Sequence, residues 1–96
     1  MSQFIVRVEL HKANQDDYET LHQAMYDEDL FRIIQDDFTK KFYVLPPAEY
    51  NYVGDITDKN EVLNKVERAA KKTNRSYSII VTKSEGIIFT GLEELD

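Results

Sequence analysis

His11 and His22 are the two side chains of this 96-residue chain whose ordinary pKa places a proton exchange near neutrality. An imidazole of that kind can take the proton of a ribose 2′-hydroxyl or return one to a departing 5′-oxygen. A guanidinium close by stabilises the charge that builds on phosphorus. His11 or His22 with Arg7 or Arg32 would therefore make a minimal ribonuclease set that needs no metal. Glu9, beside His11 at a strand end, completes the candidate catalytic group. Arg7, Arg32, Tyr43 and Tyr50 are the candidates for holding RNA, the arginines through phosphate and the tyrosines through base stacking.

Each of these residues also has a plain structural use. His22 sits at a core-compatible helical spacing, where a packed and hydrogen-bonded histidine is common. His11 follows a strand end and fits a surface loop. Arg7 and Glu9 on one strand face suit cross-strand ion pairs. Tyr43 and Tyr50 are good strand formers before they are stacking platforms. Glu9, His11, Asp16 and Asp17 could hold Mg²⁺ or Mn²⁺. Asp16 and Asp17 are already accounted for by the dipole of the helix they open, so no metal is assigned.

The elements that must position these residues are legible as periodicities. In the stretch 4–10, Phe4, Val6, Val8 and Leu10 alternate with Ile5, Arg7 and Glu9, which predicts a strand with one core face and one mixed face. Asn14 offers an N-cap, and Tyr18, Leu21, His22 and Met25 follow at helical spacing over 15–29. Two β-rich runs, 31–35 and 41–45, flank a short polar link and predict a hairpin. On this reading Arg7 and Arg32 share the uncovered sheet face, with Tyr43 as a neighbour. Pro46 and Pro47 interrupt the second run, since neither can donate to a ladder. Extended chain resumes over 48–53, predicting a bulged edge strand.

Asp58 with Glu61 has the spacing of a capping box, and Val62, Leu63, Val66, Ala69 and Ala70 form one stripe of a helix over 58–73. Asn74 can end it. The stretch 76–82 predicts a strand, Glu85-Gly86 a turn, and Ile87–Thr90 a short final strand. The order β-α-β-β-α-β plus that strand predicts a single α+β domain over 1–96. Its expected form is a ferredoxin-like βαββαβ two-layer sandwich with an extra short C-terminal strand, both helices on one sheet face.

Composition removes several functions this fold can carry. There is no cysteine, so neither a CxxC metal carrier nor a thiol nucleophile is available. The only glycines are Gly54, Gly86 and Gly91, which leaves no phosphate-binding glycine loop and no glycine-bearing RNA-recognition strand at 41–45. A formal charge of −6 argues against coating nucleic acid by bulk electrostatics. Charge is unevenly spread, with Asp16, Asp17, Asp27, Glu28 and Asp29 in the first half and Lys65, Arg68, Lys71, Lys72 and Arg75 later. The run 92–96 is acidic as well. No apolar run approaches the ~20 residues of a membrane span, and the first residues enter a strand without a basic and apolar leader. A cytoplasmic protein is expected, with no membrane association and no small-molecule cofactor.

The stretches Val6–His11, Asp17–Met25 and Tyr43–Tyr50 together resemble a family of small bacterial proteins, the type V antitoxin endoribonucleases (GhoS-like). The resemblance covers about residues 4–75. It implies a ferredoxin-like fold similar to that of the CRISPR-associated adaptation nucleases. It also implies a sequence-selective ribonuclease that silences the messenger RNA of a membrane-damaging toxin. The chain departs from the CRISPR relatives in carrying Glu9 where they carry an aspartate. Its first helix has His22 as its one candidate cation. The competing expectation is a non-catalytic interaction or regulatory module, a homodimer in which Ile87–Thr90 adds to a partner's sheet edge.

Overall fold

The computed structural model describes residues 1–95; Asp96, the last residue of the acidic run, lies outside the described residues. Strand β1 (Ser2–Leu10) buries Phe4, Val6, Val8 and Leu10 and exposes Arg7 and Glu9, as its alternation requires. It is the centre of a three-stranded antiparallel sheet, flanked by β4 (Glu49–Gly54) and β5 (Tyr77–Ser84). Val6 lies opposite Tyr50 and Val81, and Arg7 opposite Glu49 and Ile80.

The buried face of this sheet carries the two helices. Helix α1 (Gln15–Asp27) opens with a reciprocal cap. The Asn14 side chain accepts from the Asp17 N–H at 2.9 Å, and the Asp17 carboxylate accepts from the Asn14 N–H at 3.0 Å. Helix α2 (Lys59–Lys71) is capped by Asp58, which accepts from the Asn60 N–H at 2.8 Å. This single bond replaces the reciprocal box that the Asp58 and Glu61 spacing predicts. Leu21, Ala24 and Met25 of α1 and Val62, Val66, Ala69 and Ala70 of α2 close one core with the inner faces of β1 and β4.

Outside that core, Glu28 accepts from Arg68 at 3.0 and 3.2 Å and lies 3.5 Å from the Lys65 ammonium. Arg75 donates to Asp17 at 2.8 Å. Three cations of the basic run are thus matched to acids of the first helical region within the same chain.

A second antiparallel sheet is built from β2 (Ile33–Gln35), β3 (Phe42–Val44) and β6 (Glu93–Glu94), in the order β2-β3-β6. The architecture of the described residues is therefore α+β, with two helices and two three-stranded antiparallel sheets. This corrects the expectation of one sheet, while the edge strand expected at 48–53 forms as β4 at the edge of the first sheet. The 31–35/41–45 hairpin forms, with Ile33 opposite Val44 and Gln35 opposite Phe42. After Pro46 and Pro47 the chain leaves it through Ala48, held at φ 74°, and β4 joins β1 instead.

The reason is aromatic burial. Tyr50 and Tyr52 both point to the core, Tyr52 against Phe4 at 6.0 Å between ring centroids. One bridge, Phe31 with Asn51, ties β4 to the segment leading into β2, through backbone bonds of 2.7 and 3.0 Å.

The final strand is displaced from its predicted place. Residues 87–90 are irregular, and the pairing with β3 falls on Glu93–Glu94. Phe89 spends its stretch packing edge-on against Tyr43 at 5.2 Å between centroids. Gly91, at φ 77°, then turns the chain back to the ladder.

Candidate active site

Helix α1, strand β4 and the bridge segment before β2 bring His22, Tyr50 and Arg32 together. His22 Nδ1 lies 2.5 Å from the Tyr50 hydroxyl, with ring centroids 5.7 Å apart. Tyr18, one helical turn earlier, stands 6.5 Å from the His22 ring. The Tyr18 hydroxyl in turn accepts from the Leu10 N–H at 3.1 Å, which pins the start of α1 to the end of β1. Tyr50 is fully buried by its place opposite Val6, so it approaches His22 from beneath.

Arg32 donates from Nη2 to the Leu45 carbonyl at 3.2 Å, which fixes the guanidinium across the hairpin. Its Nε is buried, and among the described residues it has no hydrogen-bond partner. An unpaired buried donor of a charged group is costly, and it is the kind of group a bound anion would satisfy. A cavity of about 220 Å³ opens here, lined by His22, Tyr26, Leu30, Phe31, Arg32 and Ile33 above Tyr50. Arg32 is the only ionised residue of that lining. A shallower depression on the other side of His22 includes Glu19.

The electrostatics follow from burial and from that one cation. Burial lowers the His22 pKa below its ordinary value, and the Arg32 charge lowers it further. Burial raises the Tyr50 pKa far above the ordinary phenol range, against the pull of Arg32. At neutral pH the pair is an uncharged imidazole against an uncharged phenol, beside a permanent cation.

The other sequence candidates lie elsewhere. His11 and Glu9 sit at the exposed end of β1, on the β5 side. His11 Nε2 is 2.9 Å from the Ser78 hydroxyl and 3.7 Å from Glu9, and Nδ1 is 3.3 Å from the Ser76 hydroxyl. His22 bonds across the other edge of β1, to β4, so the two imidazoles serve opposite edges and do not converge.

Arg7 is on the uncovered sheet face, as expected, but Arg32 is not; it turns into the His22 cavity. Tyr43 belongs to the second sheet, packed on Phe89. Asp17 is held by its cap and by Arg75, and both lower its pKa. Among the described residues no group of three or more histidines and carboxylates converges to hold a metal ion.

Sequence reasoning missed Tyr26 and Phe31, whose rings meet edge-on at 4.9 Å and wall the cavity. Their local pattern holds no hint of this, because the contact joins a helix end to a bridge residue. Among the described residues no helix is long and apolar enough to cross a membrane. Compared with protein-family models and with curated proteins, the chain matches none.

Proposed function

We propose that this chain is an RNA-directed endoribonuclease of the type V antitoxin (GhoS-like) kind, cutting a toxin messenger RNA in the cytoplasm without a metal. The observation that carries the reading is the neutral His22, held by Tyr50 beside the unsatisfied guanidinium of Arg32. In the reactive tautomer His22 Nδ1–H donates to the Tyr50 oxygen and Nε2 offers its lone pair to the cavity. Nε2 takes the 2′-hydroxyl proton, the 2′-oxygen attacks phosphorus, and the bond to the 5′-oxygen breaks. The products are a 2′,3′-cyclic phosphate and a 5′-hydroxyl whose proton comes from water. Arg32 binds the scissile phosphate and stabilises its added charge. Tyr50 is buried beneath the imidazole and acts as a positioning residue.

The reading takes the fold as a variant of a ferredoxin-like plait. What supports it is that β5, β1 and β4 are antiparallel neighbours in this order, with one bridge from β4 to Phe31. The test is incubation with mixed labelled RNAs, with and without EDTA. Discrete cuts that survive chelation and vanish in His22→Ala support the reading; the same cuts in His22→Ala overturn it.

A second reading, a non-catalytic homodimeric module, is favoured by one observation. Strand β5 pairs on one edge only, and Ile80 at its middle is 62% exposed on the uncovered face. Sedimentation of the intact chain beside an Ile80→Lys variant tests it: a dimer that the variant dissociates is the expected result.

A further inference from the structure

A cleft of about 520 Å³ lies where the two sheets meet. It falls within the ~300–1,000 Å³ range of small-ligand sites. Phe31 and Ile33 form a wall shared by this cleft and the His22 cavity. Phe31 and Phe42 supply aromatic surface, and Phe42 is half exposed on the short strand β3. Neither ring is needed to close the core. Exposed aromatic faces beside polar side chains are the recurring platform for an unstacked base.

The polar groups of the cleft are oriented by the backbone. The Ile33 carbonyl needs a donor and takes it from Asn51 Nδ2 at 3.2 Å. That turns Asn51 Oδ1 to Gln3, whose Nε2 donates to it at 3.0 Å. Gln3, which lines the cleft, keeps its Oε1 for a ligand. Gln35 is fixed in the same way, its Nε2 donating to the Lys40 carbonyl at 3.1 Å, which leaves its Oε1 free as well. Among the described residues neither Oε1 receives a hydrogen bond, and the Asp37 carboxylate stands at the same rim.

Each glutamine also keeps its second Nε2–H, so the rim pairs the Asp37 carboxylate, a pure acceptor, with amides that can donate. It suits a ligand edge of adjacent donors beside one carbonyl. Guanine has such an edge, N1–H and N2–H₂ for the carboxylate beside O6 for an amide N–H. Adenine and cytosine would set a ring-nitrogen acceptor against the rim, and uracil would set two carbonyls against it.

We propose that this cleft binds a guanine base, stacked on Phe31 and Phe42 and read by Gln3, Gln35 and Asp37. The proposal rests on the ribonuclease reading for its role, as the specificity pocket for a guanosine next to the cut, but its binding test is independent of cleavage.

That test is an amide NMR titration of the full chain with GMP, IMP, AMP and UMP. Saturable shifts at the Gln3 and Gln35 side-chain amides and at Phe42 are expected with GMP. IMP, which lacks the N2 amine, should bind about tenfold more weakly, the loss of one hydrogen bond to a charged acceptor. The exposed variant Asp37→Asn should bring GMP down to the IMP level while leaving the spectrum otherwise folded. Equal affinity for all four nucleotides, or no saturable shift, would overturn the proposal. Shifts confined to His22, Arg32 and Tyr50 with every nucleotide would overturn it too, while leaving the phosphate site intact. Guanine-selective shifts in a protein that cuts no RNA would keep the pocket and remove the nuclease.

Discussion

His22 Nδ1 on α1 and the Tyr50 hydroxyl on β4 meet at 2.5 Å across 28 residues of chain. The bond joins helix to sheet at one spot and leaves the other ring nitrogen toward a cavity that holds Arg32. Removing the imidazole should therefore cost catalysis more than stability. His22→Ala is expected to lower RNA cleavage by roughly 10²–10⁴-fold, the usual contribution of a general base. Tyr50→Phe keeps the ring and loses the hydroxyl. It should lower kcat with little change in KM, and lower stability by about 1 kcal/mol in urea unfolding. His11→Ala should cut as the wild type does, because its partners are Ser76, Ser78 and Glu9.

The direction of the His22 shift sets a pH dependence. Burial and Arg32 lower its folded-state pKa below the ordinary 6.5, so the unfolded chain takes up the proton first as pH falls. The contribution to stability is complete above 6.5 and is lost as pH drops through the folded-state value. Cleavage should follow the same sense, since the base must be neutral. The acidic limb of kcat/KM against pH, which reports the free protein, should lie below 6.5, and a limb above 6.5 would contradict the assigned environment. Glu19, on the rim beside His22, is the nearby acid to replace as a control.

Arg32 is asked to bind phosphate through a fork whose Nη2 is already tied to Leu45. Arg32→Lys retains the charge but cannot keep the carbonyl and reach the phosphate together. Its expected result is a raised KM and a lowered kcat, with the salt dependence of RNA binding retained. Unchanged kinetics would remove Arg32 from the site.

Asn51 is the buried amide that serves Gln3 on β1 and the Ile33 carbonyl on β2. Asn51→Ala leaves that carbonyl without its donor in the cleft between the sheets. A loss of about 1–3 kcal/mol is expected in urea unfolding. Hydrogen exchange should then be faster in β2 and β3 than in β1, since Asn51 also anchors the one bridge between the sheets.

Gly54 ends β4 directly over the Tyr52 ring. A methyl there would fall 2.8 Å from Tyr52 Cζ and displace the hydroxyl that accepts from the Ile56 N–H. Gly54→Ala should destabilise the chain by about 1–3 kcal/mol, as overpacking does. The thermal midpoint would report it.

Periodicity alone determined the elements that bury one face. The alternation of Phe4, Val6, Val8 and Leu10 gave β1 both its faces, because the side-chain period of a strand is two. The Asn14 cap and the stripe from Val62 to Ala70 placed both helices for equally local reasons. The hairpin and the stop at Pro46-Pro47 were legible too, since proline has no donor to give.

What β4 would pair with was not local information. Tyr50 and Tyr52 fit a strand beside the hairpin as well as one beside β1, and only the space next to Phe4 and His22 set β4 against β1. The last strand slid from 87–90 to 93–94 because Phe89 found the Tyr43 ring, a contact no spacing encodes. The candidate site divides along the same line. The sequence named His22, Arg32 and Tyr50 by their chemistry, together with His11, Glu9, Arg7 and Tyr43. Only the tertiary structure separated the three that meet from the four that do not, because convergence depends on which edge and which face of β1 each element covers.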